Sequence, residues 1–406
     1  MPYEKPVHTP PVKSTHLADN KKAWRSKECP LPEIYALTTE LMLVNAVNYI
    51  CSSRSDCKKI CILIGRIASE RNASLVESLG LFEKVYFIDY HEPQIKYFIR
   101  SQKTRAHFSL RDLLSFYLAK NRCEEIARSL FESCKGLDKY IGGCGKFFFH
   151  SNNHILTSII NKIPATAELH LLEEGIASYL KTTIPIDRVH AIHLYDPSLA
   201  IFRSDKNQHL FKTLPPISRR NARLLELISK LFPNAAPIKD SAIYLDQPVG
   251  KSSSSLKRAV SSHYRRLQEQ YAAKIKILKE LLQTNKNIVI RLHPASLNDK
   301  NSFKRLGEGI KYQISTGNTP FEFELAMSSL RRIELYSLFS TAACYWRLLF
   351  SDDMIAGKTI KVHLLYPLMH KQLSSQEDEA AGKELLEFFE RLCSKYPLIF
   401  TLSKPD

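Results

Sequence analysis

Apolar residues in this chain come mostly in short unbroken runs rather than in strict alternation, and segments with helical spacing separate the runs. Unbroken runs are expected of parallel strands covered on both faces. In the first half they predict strands at Lys59–Ile64, Lys84–Ile88, Lys146–Phe149 and Glu168–Leu172, with helices at Leu41–Ile50, Leu110–Leu118, Glu124–Cys134 and His154–Ile160. In the second half they predict strands at Ala242–Leu245, Asn287–Ile290, Lys311–Ile314, Ile333–Leu338 and Lys361–Leu365. The helices between these are Leu256–Leu282, Pro320–Leu330, Ala342–Leu349 and Glu377–Leu392. No internal repeat is visible. Two successive series of this kind predict an α/β protein of two Rossmann-like domains facing each other across a cleft.

The domain limits follow from proline. Residues 1–33 hold Pro2, Pro6, Pro10, Pro11, Pro30 and Pro32 with lysines between them, the composition of an extended or disordered arm. The connector Pro233-Asn234-Ala235-Ala236-Pro237 then divides a first domain, 34–236, from a second, 237–406.

Three of the predicted strands end in short polar groups. Leu169–Leu172 runs into Glu173-Glu174-Gly175, Asn287–Ile290 into Arg291-Leu292-His293-Pro294, and Ile333–Tyr336 into Ser337-Leu338-Phe339-Ser340-Thr341. Ligands of open α/β sheets bind outside the carboxyl ends of the strands, so these are the candidate site residues. Pro294 restricts His293 to extended geometry beyond the strand, where an imidazole can donate to a phosphate oxygen. Gly175 lets the chain turn sharply after the two acids. Either acid is a candidate general base, because adjacent carboxylates resist joint ionisation; an ordinary solvated pair in a turn is the other reading. Ser340 and Thr341 open a helix, where free N–H groups and the dipole receive anions. Glu322 opens another after Thr319-Pro320, where it either accepts ribose hydroxyls or merely favours the helix N-terminus.

Composition narrows the class. With 406 residues, 44% hydrophobic and 24% charged, the chain reads as a globular protein of two domains. No apolar stretch is long enough to span a bilayer, and Met1–Pro6 lacks a secretory layout. Nine cysteines, an odd number, point to free thiols in a reducing, cytoplasmic location. The net charge of +17 attracts polyanions such as nucleic acid, anionic lipid or an acidic glycan. Residues 251–291 hold ten Lys or Arg against two Glu, with Lys257, Arg258, Arg265, Arg266, Lys274, Lys276 and Lys279 on the outer faces of the long helix. That surface is either a solvated face or the border of an anion path.

Several motifs are excluded. Gly250-Lys251-Ser252 lacks the earlier glycine of a phosphate loop, Gly145-Lys146 is followed by Phe147, and no Gly-x-Gly-x-x-Gly occurs. Cys57 and Cys61 find no matching pair for zinc, and Asp352-Asp353 reads as a loop rather than a metal site.

In order and spacing, Glu173-Glu174-Gly175, Arg291-x-His293-Pro294, Pro320-x-Glu322 and Ser340-Thr341 resemble the motifs of bacterial sialyltransferases of the polysialyltransferase and lipooligosaccharide sialyltransferase group. The resemblance spans roughly residues 35–370, although only these islands match. Thr341 stands where the group has serine, which keeps the hydroxyl. The resemblance implies a GT-B architecture, CMP-sialic acid as donor and no metal or other cofactor. It implies that Glu173 or Glu174 deprotonates the acceptor and that His293, Ser340 and Thr341 hold the leaving phosphate. Arg291 would lie near the cytosine and Glu322 at the ribose.

The expectation is therefore an inverting transfer of sialic acid to a surface glycan, either polysialic acid or lipooligosaccharide. The positive charge suits an acidic acceptor and peripheral association with an anionic membrane. The alternatives are another donor such as CMP-Kdo, and a basic nucleic-acid-binding protein. The latter is disfavoured because no interleaved aromatic motif accompanies the basic segment, so nucleic acid is not an expected partner.

Overall fold

The computed structural model describes residues 30–53, 55–88, 134–150, 154–182, 184–233, 241–247, 262–285, 288–293, 303, 306, 312–316, 319–328, 331–371 and 376–403. The expected helix Leu110–Leu118, nearly all of Glu124–Cys134, most of the proline-flanked connector, the arm up to residue 29 and Pro294 lie outside these residues.

The first sheet has strands β1 (Glu33–Leu37), β2 (Lys59–Ile64), β3 (Lys84–Ile88), β4 (Lys146–Phe149), β5 (Glu168–Leu172), β6 (Ala191–Leu194) and β7 (Phe211–Thr213). All pair in parallel, in the order β3-β2-β1-β4-β5-β6-β7. The second sheet has β8 (Ser241–Leu245), β9 (Ile288–Arg291), β10 (Gln313–Ser315), β11 (Arg332–Ser337), β12 (Thr359–Leu364) and β13 (Phe400–Leu402), again all parallel, in the order β10-β9-β8-β11-β12-β13. In each sheet the first strand lies third from one edge, and the chain reverses its direction of winding beside it. The switch points are β1/β4 and β8/β11, where such sheets leave a crevice.

The unbroken apolar runs become strands buried on both faces: every residue of β1 is buried, as are five of six in β2. Glu33, placed in the arm by its neighbouring prolines, instead opens the interior strand β1. Its carboxylate is buried against the hydroxyls of Tyr35, at 2.9 Å, and Ser55, at 2.8 Å. Strands β1, β6, β7 and β13 are not among those that the sequence predicts.

The long basic helix is Ser262–Thr284. Tyr271, Ala273, Lys274, Ile275, Ile277 and Leu278 are all buried, so the helix is enclosed on more than the one stripe that its four-and-three spacing suggests. Lys274, read from sequence as part of the outer basic face, is one of the buried positions.

The two halves are joined through packed contacts. Ile217 donates its N–H to the Leu349 carbonyl at 2.7 Å, and Phe232 stacks on Phe323 at 5.0 Å between ring centroids. The C-terminal helix Gln376–Lys395 crosses back to the first half, where Arg391 donates to the Ala200 carbonyl at 2.9 Å and Lys395 pairs with Asp196 at 2.6 Å. Two Rossmann-like domains with facing carboxyl edges constitute the GT-B arrangement.

Candidate functional site

Strand register explains which residues gather at each edge. In the second sheet Leu245, Arg291, Ser315 and Ser337 align across β8, β9, β10 and β11. The residues just beyond them, Asp246, His293, Ser340 and Thr341, therefore share one edge. In the first sheet Phe149 aligns with Leu171, which brings His150, Glu173 and Glu174 to the facing edge.

The two edges touch where Gly175 meets Thr341. Gly175 has φ of +120°, and a Cβ built on it would lie 2.7 Å from Thr341 Cγ2. The glycine is thus required twice, by its backbone conformation and by the methyl group opposite. This contact brings the acid motif of the first domain against the hydroxyl pair of the second.

Glu173 and Glu174 have opposite environments. Glu173 is wholly buried; its Oε2 accepts the Tyr195 N–H at 2.6 Å, while Oε1 meets no partner at full hydrogen-bond geometry. Burial pushes its pKa up to about 8, against the Tyr195 N–H and the nearby Tyr179 and Tyr345 hydroxyls. The raised pKa comes from desolvation, not from the adjacent Glu174 as the sequence suggests. Around it Asn45 donates to the Glu173 carbonyl at 2.7 Å and to Tyr345 Oη at 3.2 Å, and receives the Tyr195 hydroxyl at 2.8 Å. A polar network in the interior thereby ties the start of the acid motif to the helix Thr341–Leu349.

Glu174 is 23% exposed at its side chain, and its Oε2 lies 3.1 Å from His150 Nε2. The Ser178 hydroxyl accepts the Glu174 N–H at 2.9 Å. His150, at the end of β4, was not singled out from sequence; the available signal was its place just past Phe147-Phe148-Phe149.

In the second domain His293 is half-buried. Burial lowers its pKa, Asp246 raises it, and Arg66 and Lys274 lower it. Arg66 belongs to the first domain, just past β2, so the imidazole senses a cation from across the domain junction. The Arg66 side chain is 79% exposed and lies 3.6 Å from Glu40. Asp246 and Lys274 form a buried ion pair, Lys274 also donates to the Gln247 carbonyl at 2.8 Å, and Asp246 Oδ2 is left without a partner.

Ser340 is the N-cap of helix Thr341–Leu349, yet its hydroxyl does not cap that helix; its own N–H is held by Ser337 Oγ at 2.8 Å. The first-turn N–H groups of this helix begin beside Gly175, an arrangement able to receive an anion.

Arg291 is buried, donating to Ser315 Oγ at 3.1 Å and ion-paired with Glu324. Glu324, absent from the sequence reading, shares the first turn of helix Phe321–Met327 with Glu322. Glu322 is buried, and burial followed by the charge of Glu324 pushes its pKa up to about 7. Arg291 therefore enters the site as the partner of Glu324, not as a cation open to solvent.

The Asp352-Asp353 pair lies in the short helix Asp352–Ile355, where Asp353 accepts the Arg219 N–H at 2.9 Å and Asp352 pairs with Arg347 at 3.2 Å. Among the described residues no group of three His, Cys, Asp or Glu side chains has the geometry to hold a metal ion, and no helix is long and apolar enough to cross a membrane.

No family model and no curated protein matches the sequence. Among solved structures, MnaA of S. aureus in complex with UDP is similar with a TM-score of 0.42 at 8% identity, covering 91% of this chain and 89% of that one. The UDP-GlcNAc 2-epimerase of Neisseria meningitidis bound to UDP-GlcNAc has a TM-score of 0.40 at 11% identity, covering 90% and 92%. A glycosyl transferase family 9 protein of Veillonella parvula has a TM-score of 0.33 at 10% identity, covering 91% and 99%. At these scores the likenesses add nothing to the topology already described.

Proposed function

We propose that this protein is an inverting glycosyltransferase that moves sialic acid from CMP-sialic acid to a hydroxyl of an acidic surface glycan. The observation that carries this reading is the contact of Gly175 with Thr341, which sets the acid motif against the helix start bearing Ser340 and Thr341.

In this reading Glu174 is the base, because it is partly exposed beside that contact whereas Glu173 is sealed in the interior. The acceptor oxygen attacks the anomeric carbon as its proton passes to Glu174. The bond from that carbon to the phosphate oxygen breaks, and the nucleotide leaves with the electron pair. Ser340, Thr341, the first-turn N–H groups and His293 stabilise the charge that develops on the phosphate. Burial favours the neutral form of His293, which acts as a hydrogen-bond donor. Glu322 meets the ribose, and Arg291 holds Glu324 beside it. The net charge of +17 draws acidic acceptors and an anionic membrane surface.

The test is donor turnover. Purified protein is incubated with CMP-sialic acid, CMP-Kdo and UDP-GlcNAc, each with sialylated and lipooligosaccharide acceptors, and nucleotide release is followed by chromatography. CMP release with CMP-sialic acid alone supports the proposal. Turnover of only CMP-Kdo or UDP-GlcNAc replaces the donor, and no turnover together with salt-sensitive RNA or DNA binding replaces the function.

A further inference from the structure

Glu174 does not stand alone. His150 follows Phe149, which pairs with Leu171 in the register of β4 and β5, and its Nδ1 is 3.0 Å from the Leu172 carbonyl oxygen. A carbonyl only accepts, so this contact places a hydrogen on Nδ1. The other ring nitrogen, Nε2, then faces Glu174 Oε2 at 3.1 Å, and a proton must lie between the two for the contact to be attractive. The ring is further fixed by Ser178, whose hydroxyl is 3.3 Å from Nδ1 and also accepts the Glu174 N–H at 2.9 Å. Both side chains are largely shielded, 12% exposed for His150 and 23% for Glu174, so an unpaired charge on either is disfavoured. Lys181 and Thr182 line the small cavity beside the ring, and Lys181 is the other charged group there among the described residues.

We propose that His150 is a positioning residue for the base: it binds Oε2 of Glu174 through a protonated Nε2, so that the remaining oxygen, Oε1, is aimed at the acceptor hydroxyl. The inference rests on the assignment of Glu174 as the base. One proton lies between Nε2 and Oε2, on the 3.1 Å line that joins them. During transfer the acceptor proton passes to Oε1, the acceptor oxygen uses the freed electron pair to bond to the anomeric carbon, and His150 keeps its own protons throughout. Burial lowers the pKa of His150, and the Glu174 carboxylate followed by the Leu172 carbonyl opposes that shift.

Two measurements on the full chain test this. The first is independent of turnover: ¹⁵N-detected NMR titration of His150 in the protein and in Glu174→Gln. The carboxylate favours the charged ring, so the apparent pKa of His150 falls in Glu174→Gln; an unchanged titration overturns the dyad whatever the enzyme transfers. The second is the pH–rate profile of His150→Gln, which retains an N–H donor but cannot titrate. Turnover falls roughly 10- to 100-fold, less than the ~10²–10⁴-fold a base itself is worth. KM for the donor stays unchanged, and the part of the pH dependence that His150 contributes is lost. A profile superimposable on that of the unsubstituted protein overturns the inference. Full activity in Glu174→Gln instead removes the base assignment, and the NMR result then decides the dyad separately.

Discussion

Thr341 rests its methyl group in the space that Gly175 leaves open by having no Cβ. Thr341 is the position at which the sequence departs from the serine of the sialyltransferase motif, and the extra methyl is accommodated by the glycine of the acid motif on the other domain. Two motifs separated by 166 positions in the sequence, 175 and 341, are thereby one steric unit.

Gly175→Ala is expected to lower both thermal stability and turnover, since the new Cβ meets Thr341 Cγ2 at 2.7 Å and φ is +120°. Thr341→Ser removes the methyl and retains the hydroxyl. The double variant therefore recovers part of the loss, while the backbone strain remains. Thermal unfolding of the four proteins measures the coupling; strictly additive effects would show that the two residues do not press on each other.

Glu174→Gln is expected to cut turnover by roughly 10²–10⁴-fold with little change in melting temperature, since a partly exposed carboxylate is exchanged for an amide of the same shape. His293→Ala is expected to fall by about 10²-fold or more, as for removal of a donor to a developing anion. Steady-state rates beside circular dichroism check both, and a fully active variant of either kind withdraws its catalytic role.

Glu173 makes stability depend on pH. Its carboxyl group retains its proton in the folded chain up to about pH 8, whereas the unfolded chain ionises near 4.5. The folded state therefore binds more protons between these values, and stability falls as pH rises through that window. In Glu173→Gln this slope disappears, leaving the variant more stable than the original at pH 8 by an amount on the order of a few kcal/mol. Urea unfolding at pH 5 and pH 8 measures it; parallel pH dependence in the two proteins would contradict the buried protonated state.

Arg291 and Glu324 form an ion pair with both side chains out of solvent. Arg291→Met strands the carboxylate and is expected to cost about 3–5 kcal/mol, whereas Arg291→Met combined with Glu324→Leu is expected to recover much of it. Denaturant titration of the single and double variants provides the comparison. Equal destabilisation in both would mean that the pair is not the source of the cost.

Fold class was legible because unbroken runs such as Lys59–Ile64 and Glu168–Leu172 state locally that both faces of a strand are covered. The ends of those runs also marked the polar residues that reach the two facing edges. Lys274 was misread for an equally local reason: on a helical wheel it falls among the basic residues, and only the position of Asp246 after β8 makes its burial favourable. His150 and Glu324 carried no motif, since each acquires its place from strand register or a partner on another element.

Composition and periodicity by themselves determined the two α/β series and the positive field, because each is set by residue types and spacings within a few turns of chain. They left Glu173 and Glu174 interchangeable. Tertiary structure decided between them by enclosing the first with Asn45, Tyr195 and Tyr345 and leaving the second beside His150. Desolvation and contacts between residues 128 and 300 positions apart have no expression in local spacing, and they are what separates a buried carboxyl group from a partly exposed one.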